Sequence, residues 1–228
     1  SCATQYASRT MDVTVWRDGQ EYSLHFERGE NVGGLSKKPL SRKRTGTRIR
    51  WLPDLDVFTD IAVPAEYFMD VMKRQAVVNA GITFRFRDQR GASFETVDYL
   101  YENGIQDYVA ELSGEGSLTA PIFWEAERRG RDAENRPEMK LKITASFCFS
   151  KQISHIEYYH NSSWLEYGGS PDKAVRSGFT AAFDKYLRDN NKYTKNENKI
   201  IFQDIQDSLV LVTNCFSTIG CFENQTKK

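Results

Sequence analysis

Two stretches near the start of the chain alternate between apolar and polar residues. The apolar positions are Met11, Val13 and Val15 in the first stretch and Tyr22, Leu24 and Phe26 in the second. A period of two is typical of a β-strand with one buried face. The dipeptide Asp18-Gly19 between the stretches is a turn signal, so the sequence predicts a β-hairpin.

Two longer segments carry apolar residues at helical spacing. The first begins at Pro64, where a missing amide hydrogen is harmless, and ends before Gly81. Its predicted inner face consists of Phe68, Val71, Met72, Gln75 and Val78. The second begins at Ser170-Pro171-Asp172, which predicts an N-cap, a proline in the first turn and an acid near the positive helix end. Its predicted apolar stripe consists of Val175, Phe179, Ala182, Phe183 and Tyr186.

Shorter segments complete the pattern. Strands are predicted at 82–86, 141–149 and 200–212, a short helix at 104–112, a charged hairpin loop at 125–138 and a polar linker at 190–199. This mixed order predicts an α+β fold in two units. The turn at Asp88–Gly91 and the change of pattern after it place the boundary near Ser93, which gives domains 1–92 and 93–228.

Composition describes an ordinary soluble domain with no overall charge. Of the 228 residues, 39% are hydrophobic and 27% charged, and the formal net charge is +0. Any nucleic-acid contact must therefore come from a local patch. No apolar run approaches the ~18 residues of a membrane span, no signal peptide precedes Cys2, and the four cysteines lack CxxC spacing. We expect reduced thiols and a cytoplasmic location.

The clearest local charge is the basic run Lys37–Arg50. It could bind phosphate, but such runs are more often solvated loops, and a loop is the interpretation we favour here. His25, His155 and His160 have no partners at metal-ligand spacing, so no metal site is predicted.

One short motif points to phosphate chemistry, and a second short motif is a landmark far from it. Gln225-Thr226-Lys227 offers a compact positive charge two residues from an amide that can both donate and accept hydrogen bonds. Arg44-Thr45-Gly46-Thr47 lies far upstream. Alone, the first motif is most simply a solvated polar terminus.

Together these motifs and the stretches between them resemble the ATPase subunit of bacterial type IIA topoisomerases, the B subunit of DNA gyrase or its topoisomerase IV counterpart. The similarity extends over essentially the whole chain. The matching stretches are Val15–Gly19, Arg44–Thr47, Trp51–Asp54, Leu100–Ile105, Tyr159–Asn161, Gly168–Ser170 and Gln225–Lys227. The chain departs from the family at Leu165-Glu166, where an arginine is usual before the Gly-Gly turn, and at Gln206–Leu209.

The resemblance implies a fold for each unit. Residues 1–92 would be the C-terminal part of a GHKL ATP-binding sandwich. Residues 93–228 would be the transducer domain, which resembles a domain of a small-subunit ribosomal protein and contains a left-handed βαβ crossover. That handedness is rare, and periodicity does not reveal it.

The resemblance also assigns roles to individual residues. Thr47 would contact ATP near adenine through water, and Arg17 would lie at the pocket rim, where aminocoumarin inhibitors stack in the family. Lys227, supported by Gln225, would reach the terminal phosphate as the catalytic lysine. Arg176 would contact DNA.

The expected activity is that of a DNA clamp. In the intact subunit ATP, with Mg²⁺, would drive dimerisation around double-stranded DNA and passage of one segment through another, cleaved by the A-type subunit. The magnesium ligand and the water-activating glutamate of the family have no counterpart in this sequence, so the chain alone is expected to be inactive. Two alternatives stay open: a non-enzymatic nucleic-acid-binding or interaction module of related fold, and another GHKL ATPase of mismatch-repair or chaperone type.

Overall fold

The chain forms two compact units that divide between Pro64 and Ala65. The computed structural model describes residues 2–131, 134, 135 and 137–218. The first unit has one short helix and the second has several, each beside a mainly antiparallel sheet, which confirms the predicted α+β class.

The first unit is a four-stranded antiparallel sheet preceded by a short helix. Its elements are α1 (Cys2–Tyr6), β1 (Ser8–Arg17), β2 (Gln20–Glu27), β3 (Glu30–Pro39) and β4 (Gly46–Pro53), with strand order β3-β2-β1-β4. The predicted hairpin is confirmed as β1 and β2. Asp18 and Gly19 have φ angles of 52° and 71°, and two successive positive φ values match the twist of the flanking strands.

The basic run Lys37–Arg50 is a loop only in part, so that prediction was wrong for both of its ends. Residues 40–45, with Arg42, Lys43 and Arg44, form a connection, whereas residues 30–39 and 46–53 are strands β3 and β4, which pair with β2 and β1. Their side chains are exposed almost throughout. A strand whose side chains meet solvent shows no apolar alternation, and charged side chains are common on edge strands, so the pattern resembled a loop.

The second unit contains a five-stranded sheet of order β10-β9-β11-β8-β7 and a two-stranded ribbon β5-β6. Its strands are β5 (Phe84–Asp88), β6 (Glu95–Tyr99), β7 (Ile122–Gly130), β8 (Met139–Phe149), β9 (His155–His160), β10 (Ser163–Trp164) and β11 (Leu209–Ser217). Its helices are α2 (Ala65–Val78), α3 (Ile105–Ser113), α4 (Gly169–Asp189) and α5 (Phe202–Gln206). The predicted strand at 141–149 and helix at 104–112 are confirmed.

Strand β11 is the centre of the second unit. It pairs antiparallel with β8 and parallel with β9, although β10, α4 and α5 intervene between β9 and β11 in the chain. Residues Leu209–Val212 are at most 1% exposed. Val210 and Val212 pack into one core cluster with Val77 and Val109, whereas Leu209 and Leu211 belong to a second cluster under α4 and α5.

The predicted inner face of α2 was wrong in part. Its buried residues are Ala76 and Val77, whereas Phe68 and Val71 are 38% and 43% exposed. Only the C-terminal part of the helix enters the core cluster shared with α3 and β11. Phe68 instead stacks on Phe86 of the ribbon, with ring centroids 6.3 Å apart.

The compact units divide between Pro64 and Ala65, because α2 packs with the residues that follow it, and the domain boundary near Ser93 stays a prediction. Ala76 and Val77 of α2 share a core with Ile105 and Val109 of α3. Helix α2 and strand β5 therefore group with the residues that follow them.

Two further predictions of local structure were wrong in part. Of the charged segment 125–138, predicted as a hairpin loop, residues 125–130 lie in strand β7, where Glu125 and Glu127 form diagonal ion pairs with Lys142 and Lys140 of β8 at 2.8 and 3.1 Å. The predicted strand at 200–212 begins as helix α5 and becomes strand only at Leu209. Phe202 and Ile205 are both buried, and periodicity alone does not separate a helix from a buried strand in so short an apolar run.

Helix α4 begins earlier than its sequence predicted. Its N-cap is Gly168, with φ 70°, rather than Ser170. Val175, Phe179 and Phe183 pack on the second core cluster as expected, whereas Ala182 and Tyr186 are exposed.

Gly168→Ala is expected to destabilise the second unit, because an added Cβ would lie 2.7 Å from Asp172 and 3.1 Å from Tyr158 at a positive φ. A loss of about 2 kcal/mol or more in unfolding free energy follows from the left-handed conformation and the clash together. Gly178→Ala is the matched control within α4. It meets no atom within 4 Å and should stabilise by up to about 1 kcal/mol. Urea unfolding measures both, and equal effects of the two substitutions would refute this account of Gly168.

Candidate functional site

Arg17 and Thr47 lie on one face of the first sheet, at the same end. Thr47 of β4 pairs directly with Val15 of β1, and Arg17 follows two residues later on β1, so the three side chains share a face. The Arg17 side chain is 68% exposed, and its Nε donates a hydrogen bond to Asp18 at 2.9 Å. The register thus brings together two residues that are 30 positions apart in the sequence.

The rest of this face is apolar and exposed beside Thr47. Ile49 and Trp51 follow Thr47 at alternate positions of β4 and are 58% and 46% exposed. An apolar wall with a few polar groups at its margin is the usual lining of a small-molecule site. The sequence analysis gave no site role to Ile49 or Trp51, although their period-two spacing from Thr47 indicates that they share its face.

Gly46 explains why the Thr-Gly-Thr motif requires glycine. Its φ of 146° is in the region that side chains rarely adopt, and it pairs with Trp16 of β1. The guanidinium of Arg44 stacks on the Trp16 ring, with Cζ 3.6 Å from the ring centroid. The motif is therefore held against β1 by both pairing and stacking.

Arg176 lies in the second unit, on α4, beside a groove of about 570 Å³. Its Nε donates to Asp172 Oδ2 at 2.8 Å, and its Cζ lies 4.7 Å from the Phe202 ring centroid. Asp172 also accepts a hydrogen bond from the Tyr158 hydroxyl at 2.9 Å. The guanidinium is thus firmly oriented but already shares its charge with a carboxylate, and Glu166 lines the same groove.

A largely buried carboxylate that lines this groove, Glu157, was not predicted from the sequence. The Glu157 side chain is only 13% exposed and accepts hydrogen bonds from the Tyr159 and Tyr108 hydroxyls at 2.7 and 3.2 Å. His155 Nε2 lies 2.8 Å from its Oε1. The spacing His-x-Glu-x-Tyr on one strand places all three side chains on one face and could have revealed the cluster.

The surroundings of Glu157 favour its charged form. Burial alone would raise the pKa of Glu157, but hydrogen bonds from His155 and Tyr159, with the charge of His155, outweigh it and lower the pKa below the usual 4.5. Burial, and then the Glu157 charge, raise the pKa of Tyr159 well above its ordinary value. The tyrosine therefore stays protonated and continues to donate.

The substitution Glu157→Gln is expected to make the unfolding free energy depend less on pH below about pH 6. Because the folded-state pKa of Glu157 is depressed, its contribution is complete above the unfolded-state pKa near 4.5 and is lost as pH falls through the folded value. The difference in unfolding free energy between wild type and variant should therefore shrink between pH 6 and pH 3. Glu138→Gln, at a position outside this network, serves as control. A difference that stays constant with pH would contradict the depressed pKa.

Two predicted site residues, Gln225 and Lys227, lie outside the described residues. Within the described ranges, no group of three or more His, Cys, Asp or Glu side chains is placed to hold a metal ion. Among the described helices, none is long and apolar enough to span a membrane. Cys2, Cys148 and Cys215 are free thiols.

Comparison with solved structures identifies the fold. The chain aligns over 98% of its length with the 43K ATPase domain of Thermus thermophilus gyrase B in complex with an aminocoumarin, with a TM-score of 0.71, 21% identity and 58% of that chain covered. The B-subunit of the DNA gyrase from Myxococcus xanthus aligns over 97% of the chain with a TM-score of 0.74, 17% identity and 61% of that chain covered. At such identities the likeness concerns the fold.

Curated proteins with similar sequences are of the same type as these solved structures. The B subunit of DNA gyrase from Chlamydia muridarum (strain MoPn / Nigg) is 28% identical over 231 residues, which cover 100% of this chain and 28% of that protein. The B subunit of DNA topoisomerase 4 from Enterococcus faecalis (strain ATCC 700802 / V583) is 26% identical over 224 residues, covering 96% of this chain and 31% of that protein. The chain thus spans about a third or less of the length of these relatives.

The sequence profile of one family matches the second unit from α3 onwards. This profile, described as DNA gyrase B, matches residues 104–228, more than half of the chain. Together with the relatives and the shared fold, this match shows that the chain belongs to the DNA gyrase B family, as part of an ATPase subunit of the gyrase and topoisomerase IV type.

Proposed function

We propose that this chain is the ATP-sensing and coupling region of the B subunit of a bacterial type IIA topoisomerase. In the intact subunit, ATP binding would close a dimeric clamp on double-stranded DNA and drive strand passage that changes supercoiling. The observation that carries the proposal is the family match over residues 104–228, which contains the parallel β9–β11 pair and the connecting helix α4.

The face of the first sheet that carries Arg17 and Thr47 would form one wall of the ATP pocket. Thr47 would hydrogen-bond near adenine through water, and Arg17 would lie at the rim. The exposed apolar side chains of Ile49 and Trp51 on the same face support this assignment, since bound bases need apolar surroundings. Aminocoumarins would overhang the rim and reach Arg17.

Gln225 and Lys227 would report the state of the nucleotide to the second domain. We assign residues 1–92 to the GHKL domain and 93–228 to a transducer domain in which β9, α4 and β11 form the left-handed crossover. Lys227 would contact the terminal phosphate, with Gln225 orienting it. A lysine that bridges two domains through one phosphate makes their relative orientation depend on that phosphate, so hydrolysis would release the contact.

Arg176 would contact the DNA phosphate backbone within the clamp. Its firm orientation by Asp172 and Phe202 supports a fixed contact, while the ion pair with Asp172 weakens the net attraction. The partner would be an A-type subunit that cleaves DNA, and the intact subunit would dimerise on ATP in the cytoplasm. Mg²⁺ would accompany ATP, held by residues other than those of this chain.

The test is reconstitution of the intact subunit with its A-type partner on plasmid DNA. We expect a change in DNA supercoiling that requires ATP and Mg²⁺. An intact protein that binds DNA but never responds to ATP would favour a non-enzymatic module and contradict the proposal.

The 228-residue chain by itself is expected to show no ATP turnover. The family's water-activating glutamate and magnesium-binding asparagine have no counterpart among its residues. A coupled phosphate-release assay checks this, with the Lys227→Ala chain as the background control. Turnover above that background would mean that this chain carries catalytic groups of its own.

A further inference from the structure

The first unit carries a concentration of positive charge that the proposed ATP site does not use. Residues 31–53 include seven Lys or Arg and no Asp or Glu, although the whole chain has a formal net charge of +0. The seven are Lys37, Lys38, Arg42, Lys43, Arg44, Arg48 and Arg50. The charge is therefore local, not a property of the chain as a whole.

The sheet gathers most of these cations at one end. The β1–β2 turn, the end of β3 and the start of β4 all meet there, because Lys38 pairs with Glu21 and Gly46 pairs with Trp16. The Leu40 amide donates to the Gly19 carbonyl oxygen at 2.9 Å, which ties the β3–β4 connection to the β1–β2 turn. We call this region the basic end: Lys37, Lys38, Arg42, Lys43, Arg44 and Arg48.

The positive charges of the basic end are available to a ligand. All six side chains are exposed. None of them forms an ion pair with a carboxylate among the residues that the structure describes. Of the acids at this end, Asp18 pairs with Arg17 of the proposed pocket rim, and Glu21 accepts a hydrogen bond from Trp16 Nε1 at 2.7 Å.

Aromatic rings hold several of these cations in place without neutralising them. Arg44 and Arg48 lie 3.6 and 5.8 Å from the ring centroid of Trp16, and Lys37 lies 5.6 Å from that of Tyr22. Cation–π contacts restrict a side chain but leave its charge unpaired. The basic end is thus partly pre-organised, which lowers the entropy lost on binding.

We propose that the basic end binds the phosphate backbone of double-stranded DNA, as a contact additional to the clamp. The choice of DNA rests on the proposed function. From β3 to β4 the sheet spans three strand spacings, about 14 Å, which corresponds to about four phosphates at 3.4 Å of axis each along one strand. The residues between the cations are mainly small or hydroxylic, as in Ser41 and Thr45. Hydroxyls suit phosphate contacts, whereas protein partners need buried apolar anchors.

The test measures binding of the 228-residue chain to a fluorescein-labelled duplex of about 20 base pairs by anisotropy, at several salt concentrations. The variant Arg42→Glu/Lys43→Glu changes two exposed residues of the β3–β4 connection. We expect its affinity to fall at least ten-fold and the slope of log K against log salt to shrink by about 2, because each phosphate contact contributes about 0.9. Lys192→Glu/Lys195→Glu, in the exposed linker after α4, makes the same change in net charge and should alter affinity less than two-fold.

Other outcomes decide against the proposal. Equal losses in both double variants would mean that net charge alone governs binding. If only Arg176→Glu lowered the affinity for the duplex, DNA would contact Arg176 and not the basic end. A labelled decaglutamate peptide is tested in the same way. If it bound the basic end more tightly than the duplex does, the ligand of the basic end would be an acidic protein and not DNA. The supercoiling assay on the intact subunit remains independent, so failure of this contact and failure of the proposed function can be told apart.

Discussion

Lys227→Ala in the intact subunit is expected to slow ATP hydrolysis by about 10²–10³-fold while nucleotide affinity changes only a few-fold. A positive charge beside a transferring phosphoryl group acts mainly in the transition state, where negative charge on the terminal phosphate is redistributed. Affinity for the ground state would come largely from the base and its apolar surroundings near Thr47. The substitution therefore separates kcat from binding.

The neighbouring residue provides a control for this experiment. Lys228→Ala removes the same charge one position later, and we expect turnover close to wild type. Steady-state ATPase assays and equilibrium binding of a non-hydrolysable ATP analogue supply the two quantities. Parallel losses of rate and affinity, or no loss of either, would show that Lys227 does not act on the terminal phosphate.

Arg17→His is expected to lower aminocoumarin affinity ten-fold or more and to leave ATP turnover within a few-fold of normal. Arg17 is 68% exposed at the end of β1 and contacts only the adjacent Asp18 among the hydrogen bonds described for it. A guanidinium stacks on flat ligands with a gain of about 0.5–2 kcal/mol, and about 1.4 kcal/mol corresponds to ten-fold in affinity. ATP, seated deeper in the proposed pocket, would depend on this side chain much less.

Arg9→His is the matched control, because Arg9 is an exposed arginine at the opposite end of the same strand. Isothermal titration with an aminocoumarin and the ATPase assay together decide the matter. If Arg17→His left the inhibitor affinity unchanged, or abolished ATP turnover, Arg17 would not lie at the rim of the proposed ATP pocket.

The local pattern of apolar and polar residues was sufficient to predict an element where one of its faces is buried and the other is not. The β1–β2 hairpin, strand β8 and helix α3 followed directly from alternation, turn residues and helical spacing. Pattern failed where both faces meet solvent or both are buried. Strand β7 resembled a loop because its charges pair across the sheet, and α5 resembled a strand because it is a short run with buried apolar residues.

In the candidate site too, local motifs predict which residues matter, whereas the contacts between distant segments cannot be predicted from them. The residue types of Arg17 and Thr47 could be read from their motifs, but their common face depends on the β1–β4 register, which links distant segments. The Glu157 cluster depends on Tyr108, which belongs to α3 and is 49 residues away. Contacts of this kind arise from topology, which single-sequence periodicity does not encode.

The central position of β11 has a consequence for synthesis on the ribosome. Strands β8 and β9 emerge long before residues 209–217, which must insert between them to bury both core clusters. Until then, β8 and β9 each present an unpaired edge, and their apolar faces have no cover from β11. A nascent chain paused before residue 209 would therefore be a strong client for chaperones that recognise exposed strands. Synonymous codons that slow translation between β9 and β11 should lower the soluble yield without changing any residue of the finished protein.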